Sequence, residues 1–314
     1  MKTANVEPIR SQAVIPAVLA SASASVITGT ALVATRYVVV QANGLTIAAM
    51  RYVIAAVCLL PMVAVWHKFN LERRHLFPIL GLGVLYFGLF PWCISAAMLY
   101  TTASEGAIAL ACTPAVTLLL GCLSGSELLS APKAFGVAFA LLGALVGFGA
   151  GGFNFGGHAL TGNLLMAVAT VLGAVYAVFS KPYLAKYPPL TVTAVAMGAG
   201  AVALAAAWSA GGLTVGVPRF TGGGWLAVLY IGAAGGALSF FLYAWALGRT
   251  TPTATMILIP LNPIAALITG AFCLGEPLSK ELFAGLALVI IGIALVVKRP
   301  AARSAVAALE LHAP

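Results

Sequence analysis

An all-α integral membrane protein, with ten transmembrane helices arranged as a 5+5 inverted-topology repeat, is the fold class this sequence predicts. Three observations predict it. Of 314 residues, 62% are hydrophobic and only 7% are charged, too few charges to cover a soluble surface. The apolar residues run in long unbroken stretches with a mean hydropathy of +1.07, whereas a spanning β-barrel alternates apolar and polar positions. The second half of the chain repeats landmarks of the first at a fixed spacing. Helices satisfy their own backbone groups, so they are the spanning solution that remains.

A helix rising 1.5 Å per residue needs roughly 20 residues to cross about 30 Å of hydrocarbon. Apolar runs bounded by charges, Gly/Pro clusters or polar loops place spans at 14–34, 46–66, 77–98, 105–124, 133–151, 161–182, 191–210, 223–247, 253–273 and 280–297. The first span, after Lys2 and Arg10 and an initial apolar stretch, holds a small-residue run, Ala20 to Ala24, that resembles a signal-peptide cleavage site. Its apolar character continues through Val26, Ile27, Leu32 and Val33, so it reads as a retained helix.

The net charge of +9 marks orientation rather than nucleic acid as a partner. With a cytoplasmic N-terminus, the inside collects twelve basic residues: Lys2, Arg10, Lys68, Arg73, Arg74, Lys133, Lys181, Lys186, Arg249, Lys298, Arg299 and Arg303. The outside keeps four, Arg36, Arg51, Arg219 and Lys280. The bias predicts a multi-pass protein of the cell inner (plasma) membrane with both termini cytoplasmic, residues 301–314 forming a tail. The seven acids are all Glu and the five cysteines fall in apolar runs without metal-ligand spacing, so no metal or cofactor is expected. The expected partners are a small-molecule substrate and the lipid bilayer. GxxxG patterns at Gly143–Gly147 and Gly232–Gly236 suit close packing within a monomer, or a weak homodimer.

The repeat has a constant offset of 149 residues over its best part: Pro114 pairs with Pro263, Glu127 with Glu276, Gly136 with Gly285 and Gly143 with Gly292. Five spans per unit, residues 1–152 and 153–300, make the second unit enter from the opposite side. The mid-helix Pro, the Glu turn followed by Leu-Ser, and the helix with two spaced glycines, together with Arg51-Tyr52, resemble the EamA-type unit of the drug/metabolite transporter superfamily. The resemblance covers nearly the whole chain. It implies a secondary transporter, not an enzyme, exporting amino acids or related small metabolites, or else drugs and toxic compounds. An intramembrane lipid-modifying enzyme would need an acid/base constellation that a chain without Asp does not offer. A non-transporting scaffold would have no use for paired mid-helix prolines beside polar residues.

The candidate substrate positions follow from the helix breaks. Pro114, and Pro260 with Pro263, remove N–H donors and free backbone carbonyls at bilayer depth, among them that of Leu110. Thr113 and Asn262 stand beside these breaks at equivalent places and are expected to line a midplane cavity. Tyr86 and Phe90 share a face of the third span, and the offset maps that face onto Ser239 and Tyr243 of the eighth. Arg36, Arg51 and Lys181 are candidates for gate or substrate contacts, with snorkelling to headgroups as the alternative. Glu105 is a candidate for coupling or for capping its helix. Glu127 and Glu276 are expected to be structural turns.

Overall fold

Polar side chains at the turns start the helices. Asn43 Oδ1 accepts the Thr46 N–H at 2.8 Å, Thr221 Oγ1 the Gly224 N–H at 3.1 Å and Ser279 Oγ the Leu282 N–H at 3.2 Å. Each satisfies one of the amides that a helix N-terminus leaves without a partner. The structure, a computed structural model, describes residues 11–66, 71–124, 131–148, 158–215, 218–247, 258 and 261–297.

Among these residues there is no strand, and the helices form ten runs. They are α1 (Ser11–Val38), α2 (Gly44–Trp66), α3 (Arg73–Ala97), α4 (Ala103–Leu123), α5 (Ala131–Phe148), α6 (His158–Lys186) and α7 (Pro189–Val215). The run α8 joins Gly222–Leu229, Tyr230–Leu238 and Ser239–Leu247, followed by α9 (Leu261–Leu274) and α10 (Lys280–Val297). Seven of them, α1 to α4 and α6 to α8, are long and apolar enough to cross a membrane. Large apolar side chains project outward without cover, such as Phe77 at 80% and Phe272 at 87% exposure, as lipid-facing positions require and water would penalise. Helix ends differ from the sequence reading by a few residues: α1 and α6 each extend a turn further, and the described part of α9 begins at Leu261.

Packing runs across the two halves of the chain. Helix α1 lies on α8 and α9, and α6 lies correspondingly on α3 and α4; α2 lies on α8 while α7 lies on α3. Two pairs, α2 with α7 and α5 with α10, join equivalent helices directly. Glycines permit the closest approaches. A Cβ on Gly143 would stand 2.6 Å from the Gly285 carbonyl oxygen, and one on Gly292 would stand 2.6 Å from that of Gly136. Because Gly136 corresponds to Gly285 and Gly143 to Gly292, these two contacts are images of each other. Gly200 likewise approaches Phe87 of α3, and Gly236 the Ala55 Cβ of α2, at 2.5 and 2.6 Å for an added Cβ. Both GxxxG patterns therefore lie against helices of the same chain.

Candidate functional site

Two helices of the bundle interior are wound in an unexpected way. Residues Val84–Leu89 of α3 and Tyr230–Leu238 of α8 form π-helical turns at repeat-equivalent places. A π turn bonds each N–H to the carbonyl five residues back, so it bypasses the acceptor four back. The Phe90 N–H reaches the Leu85 oxygen, and the Ser239 N–H reaches that of Ala234. The bypassed carbonyl in α8 is Gly235, and two side chains take it: Ser239 Oγ donates to it at 2.8 Å and Arg51 Nη2 at 3.4 Å. Sequence reasoning missed these turns. Pro91, which lacks an N–H for the carbonyl four residues back, was the available signal in α3.

Arg51 stands about 10 Å along α2 from its start at Gly44 and does not follow the helix axis back to a headgroup. Its guanidinium crosses to α8, with Cζ 5.4 Å from the Tyr52 ring centroid, and its Nε is buried without a hydrogen-bond partner. Tyr52 leads to an aromatic wall. Its ring meets Phe87 edge-on at 5.6 Å; Phe87 meets Phe240 at 5.3 Å; Tyr86 stacks on Tyr176 at 4.2 Å and on Phe90 at 4.8 Å. Side chains from α2, α3, α6 and α8 thus meet around Phe87, which is fully buried. Tyr86 lies within electrostatic reach of both Arg51 and Tyr243. Ser239 is buried and turned onto its own helix.

The break in α4 behaves differently from the expectation of a free carbonyl. Thr113 Oγ1 donates to the Leu110 oxygen at 2.6 Å, so the acceptor that Pro114 strands is filled by the neighbouring hydroxyl. Thr113 and Phe90 both approach Gly173 of α6. On the other side, the Asn262 backbone carbonyl lies against Gly29 of α1, two residues from Ala31, whose Cβ meets Gly235. Pro263 is buried. Pro260 and Glu127 lie outside the described residues.

The charged candidates at the helix ends are tied into the backbone. Glu105 forms a capping box with Thr102, its carboxylate accepting the Thr102 N–H at 3.0 Å and the Thr101 hydroxyl at 2.8 Å. Glu276 does more than shape its own turn. It accepts the Ala103 N–H at 2.8 Å, the Ser104 N–H at 3.2 Å and the Ser104 hydroxyl at 2.8 Å, fastening the α9–α10 connection to the N-terminus of α4. Arg36 donates from Nη1 to the Met98 carbonyl, and with Tyr37, Val40, Thr102, Leu274 and Glu276 it lines a cleft of about 280 Å³. Lys181 is exposed. At the opposite end Glu72 binds Arg74 at 2.6 Å and Lys186, which together hold its carboxyl down at about 2. Beside it, His75 Nδ1 and the Tyr187 hydroxyl are 2.7 Å apart. Among the described residues no three His, Cys, Asp or Glu side chains converge on a metal position.

A bundle with seven helices long and apolar enough to cross a bilayer defines a multi-pass membrane protein. The chain belongs to the EamA-like transporter family, whose model matches residues 15–148 and again 160–298. An uncharacterized transporter of Archaeoglobus fulgidus is 24% identical over 271 residues, covering 86% of this chain and 95% of the relative. The uncharacterized transporter YetK of Bacillus subtilis is 26% identical over 278 residues, 87% of this chain and 84% of its own. A protein of Streptantibioticus cattleyicolor named "Probable terminal-alkyne amino-acid exporter" is 28% identical over 206 residues, 65% of this chain and 67% of that one. A solved crystal structure shares the fold with a TM-score of 0.66 at 19% identity, over 95% of this chain and 99% of that one.

Proposed function

We propose that the protein is a secondary transporter exporting amino acids or related small metabolites across the cell inner membrane, by alternating access between two inverted five-helix repeats, residues 1–152 and 153–300. The observation that carries the reading is the pairing of contacts across the halves: Gly143 on Gly285 is answered by Gly292 on Gly136. Such exchange symmetry suits a molecule whose two halves swap roles as the access side changes. The substrate occupies the interior between Arg51 and the wall of Tyr86, Phe90 and Tyr243, with Thr113 and Asn262 at its edges. The amino-acid exporter named among the relatives supports the solute class. The charge bias supports cytoplasmic termini, with the Glu276 end outside and the Glu72 end inside.

Flux into or out of proteoliposomes tests the proposal. Purified protein should move at least one labelled amino acid from a panel that also holds nucleobases and cationic drugs. Movement of cationic drugs alone would shift the reading to a multidrug exporter, and no movement of any solute would remove the transporter reading.

A further inference from the structure

We infer that Arg51 is the recognition point for a single carboxylate group, and that the ligand of the interior site is an amphipathic monocarboxylate, with or without an amine, whose apolar or aromatic part rests on the partly buried rings of Tyr86 and Phe90. The inference rests on the interior site proposed above and narrows its ligand.

The first argument is charge. A guanidinium stays protonated at every physiological pH, and holding it inside the bilayer is costly unless a partner or water compensates it. The chain has no Asp, and the four Glu among the described residues are placed elsewhere. Glu105 caps its own helix, Glu276 caps α4 and Glu72 is held by Arg74 and Lys186, while Glu281 sits in the first turn of α10. Among the described residues no carboxylate pairs with Arg51. Among the described residues its guanidinium has one hydrogen bond, the long one to the Gly235 oxygen, and Nε is a buried donor still unused. A group with five donors in a planar fork, one of them buried and idle, suits an incoming bidentate acid.

The second argument is geometry. The π turn of α8 brings the Gly235 carbonyl to Arg51 and so holds the guanidinium across the α2–α8 contact instead of letting it run to the membrane surface. From there Tyr52, Phe87, Tyr86, Tyr176 and Phe240 form one continuous aromatic cluster, in which Tyr86, Tyr176 and Phe240 are only partly buried. One cation balances one negative charge, so a monocarboxylate with an apolar tail fits better than a phosphate or a dicarboxylate.

The test uses three probes of one ring size on the full-length protein in detergent: L-phenylalanine, 3-phenylpropionate, which keeps the acid and lacks the amine, and 2-phenylethylamine, which keeps the amine and lacks the acid. Affinity is read by ligand-induced change in tryptophan fluorescence and by thermal stabilisation. The two acids should bind at least about 10-fold more tightly than the amine, since a hydrogen bond to a charged group is worth roughly 10- to 150-fold. Arg51→Gln should lose that preference, while Arg51→Lys keeps part of it by retaining the charge without the fork. Equal binding of acid and amine by the wild-type protein overturns the inference even if the variants fail to fold, and so does inorganic phosphate binding as tightly as 3-phenylpropionate. Proteoliposome flux separates the two proposals. Flux of solutes without an acid group, with no preference among the probes, retains the transporter and removes the carboxylate. Acid-selective binding without flux of any solute does the reverse.

Discussion

Gly285→Ala measures how much of the fold depends on the close seam between α5 and α10. The new Cβ would stand 2.6 Å from the Gly143 carbonyl oxygen and 2.7 Å from the Gly147 nitrogen, both backbone atoms that no rotamer change can move. Ordinary contact needs about 3.5 Å or more, so the helices must part by roughly an ångström. Overpacking of this kind costs about 1–3 kcal/mol. The substitution also brings a gain of up to about 1 kcal/mol, because alanine is the better helix former. Gly81→Ala, in α3, isolates that gain, since nothing lies within 4 Å of its added Cβ. The helix-propensity effect is common to both variants, so their difference in stability should be the overpacking cost alone. Reversible unfolding in mixed detergent micelles, by circular dichroism, should show Gly81→Ala at or above wild type and Gly285→Ala about 1–3 kcal/mol below Gly81→Ala. Gly292→Ala, whose Cβ would meet the Gly136 oxygen at 2.6 Å, should fall by a similar amount because it probes the mirror contact. If Gly285→Ala and Gly81→Ala unfold together, the seam is loose and the reasoning from paired glycines fails.

Three further outcomes are expected. Asn262→Ala keeps Pro263 and removes one amide, so the affinity of a transported solute, read by equilibrium binding on purified protein, should weaken roughly 2- to 13-fold, the equivalent of a hydrogen bond of about 0.5–1.5 kcal/mol; unchanged affinity for every such solute would make Asn262 a packing residue. Glu276→Ala leaves the Ala103 and Ser104 amides without their acceptor and should lower stability by about 0.5–2 kcal/mol, measured by the same detergent unfolding, with the order of solute preference unchanged. Glu72 has a folded-state pKa depressed to about 2, so its contribution is present above the ordinary carboxylate range and is lost as pH falls from about 4.5 toward 2; Glu72→Gln should flatten that part of the stability profile, and an unchanged acid limb would show that the Lys186 and Arg74 contacts contribute nothing there.

Much of the architecture is legible in sequence because bilayer thickness converts composition into helices, and because the repeat leaves landmarks at a fixed offset. The spacing that relates Gly136 to Gly285 and Gly143 to Gly292 foretold a relation between the fifth and tenth helices, though not that the two would lie against each other. The site was less legible. Proline directed attention to the carbonyl of Leu110, but the adjacent Thr113 fills it, and the acceptor that reaches Arg51 lies in α8, where no proline marks it. A π turn is a property of backbone register, and Tyr230–Leu238, rich in glycine and alanine, carries no side-chain pattern that distinguishes it from an ordinary helix. The reach of Glu276 to Ser104 was invisible for a different reason: a carboxylate in a turn shows its type, not its partner 172 residues away.

The hydroxyl of Thr113 gives α4 a joint that carries its own seal. At an ordinary proline break, bending further exposes a stranded carbonyl to lipid, and the resistance to bending grows with that exposure. Here donor and acceptor belong to one short stretch, Leu110 to Thr113, and move together. The stranded oxygen is therefore covered from within α4, without a donor from a neighbouring helix. A threonine-to-valine exchange at 113 preserves the shape and removes the seal, leaving the Leu110 oxygen without its donor at the break.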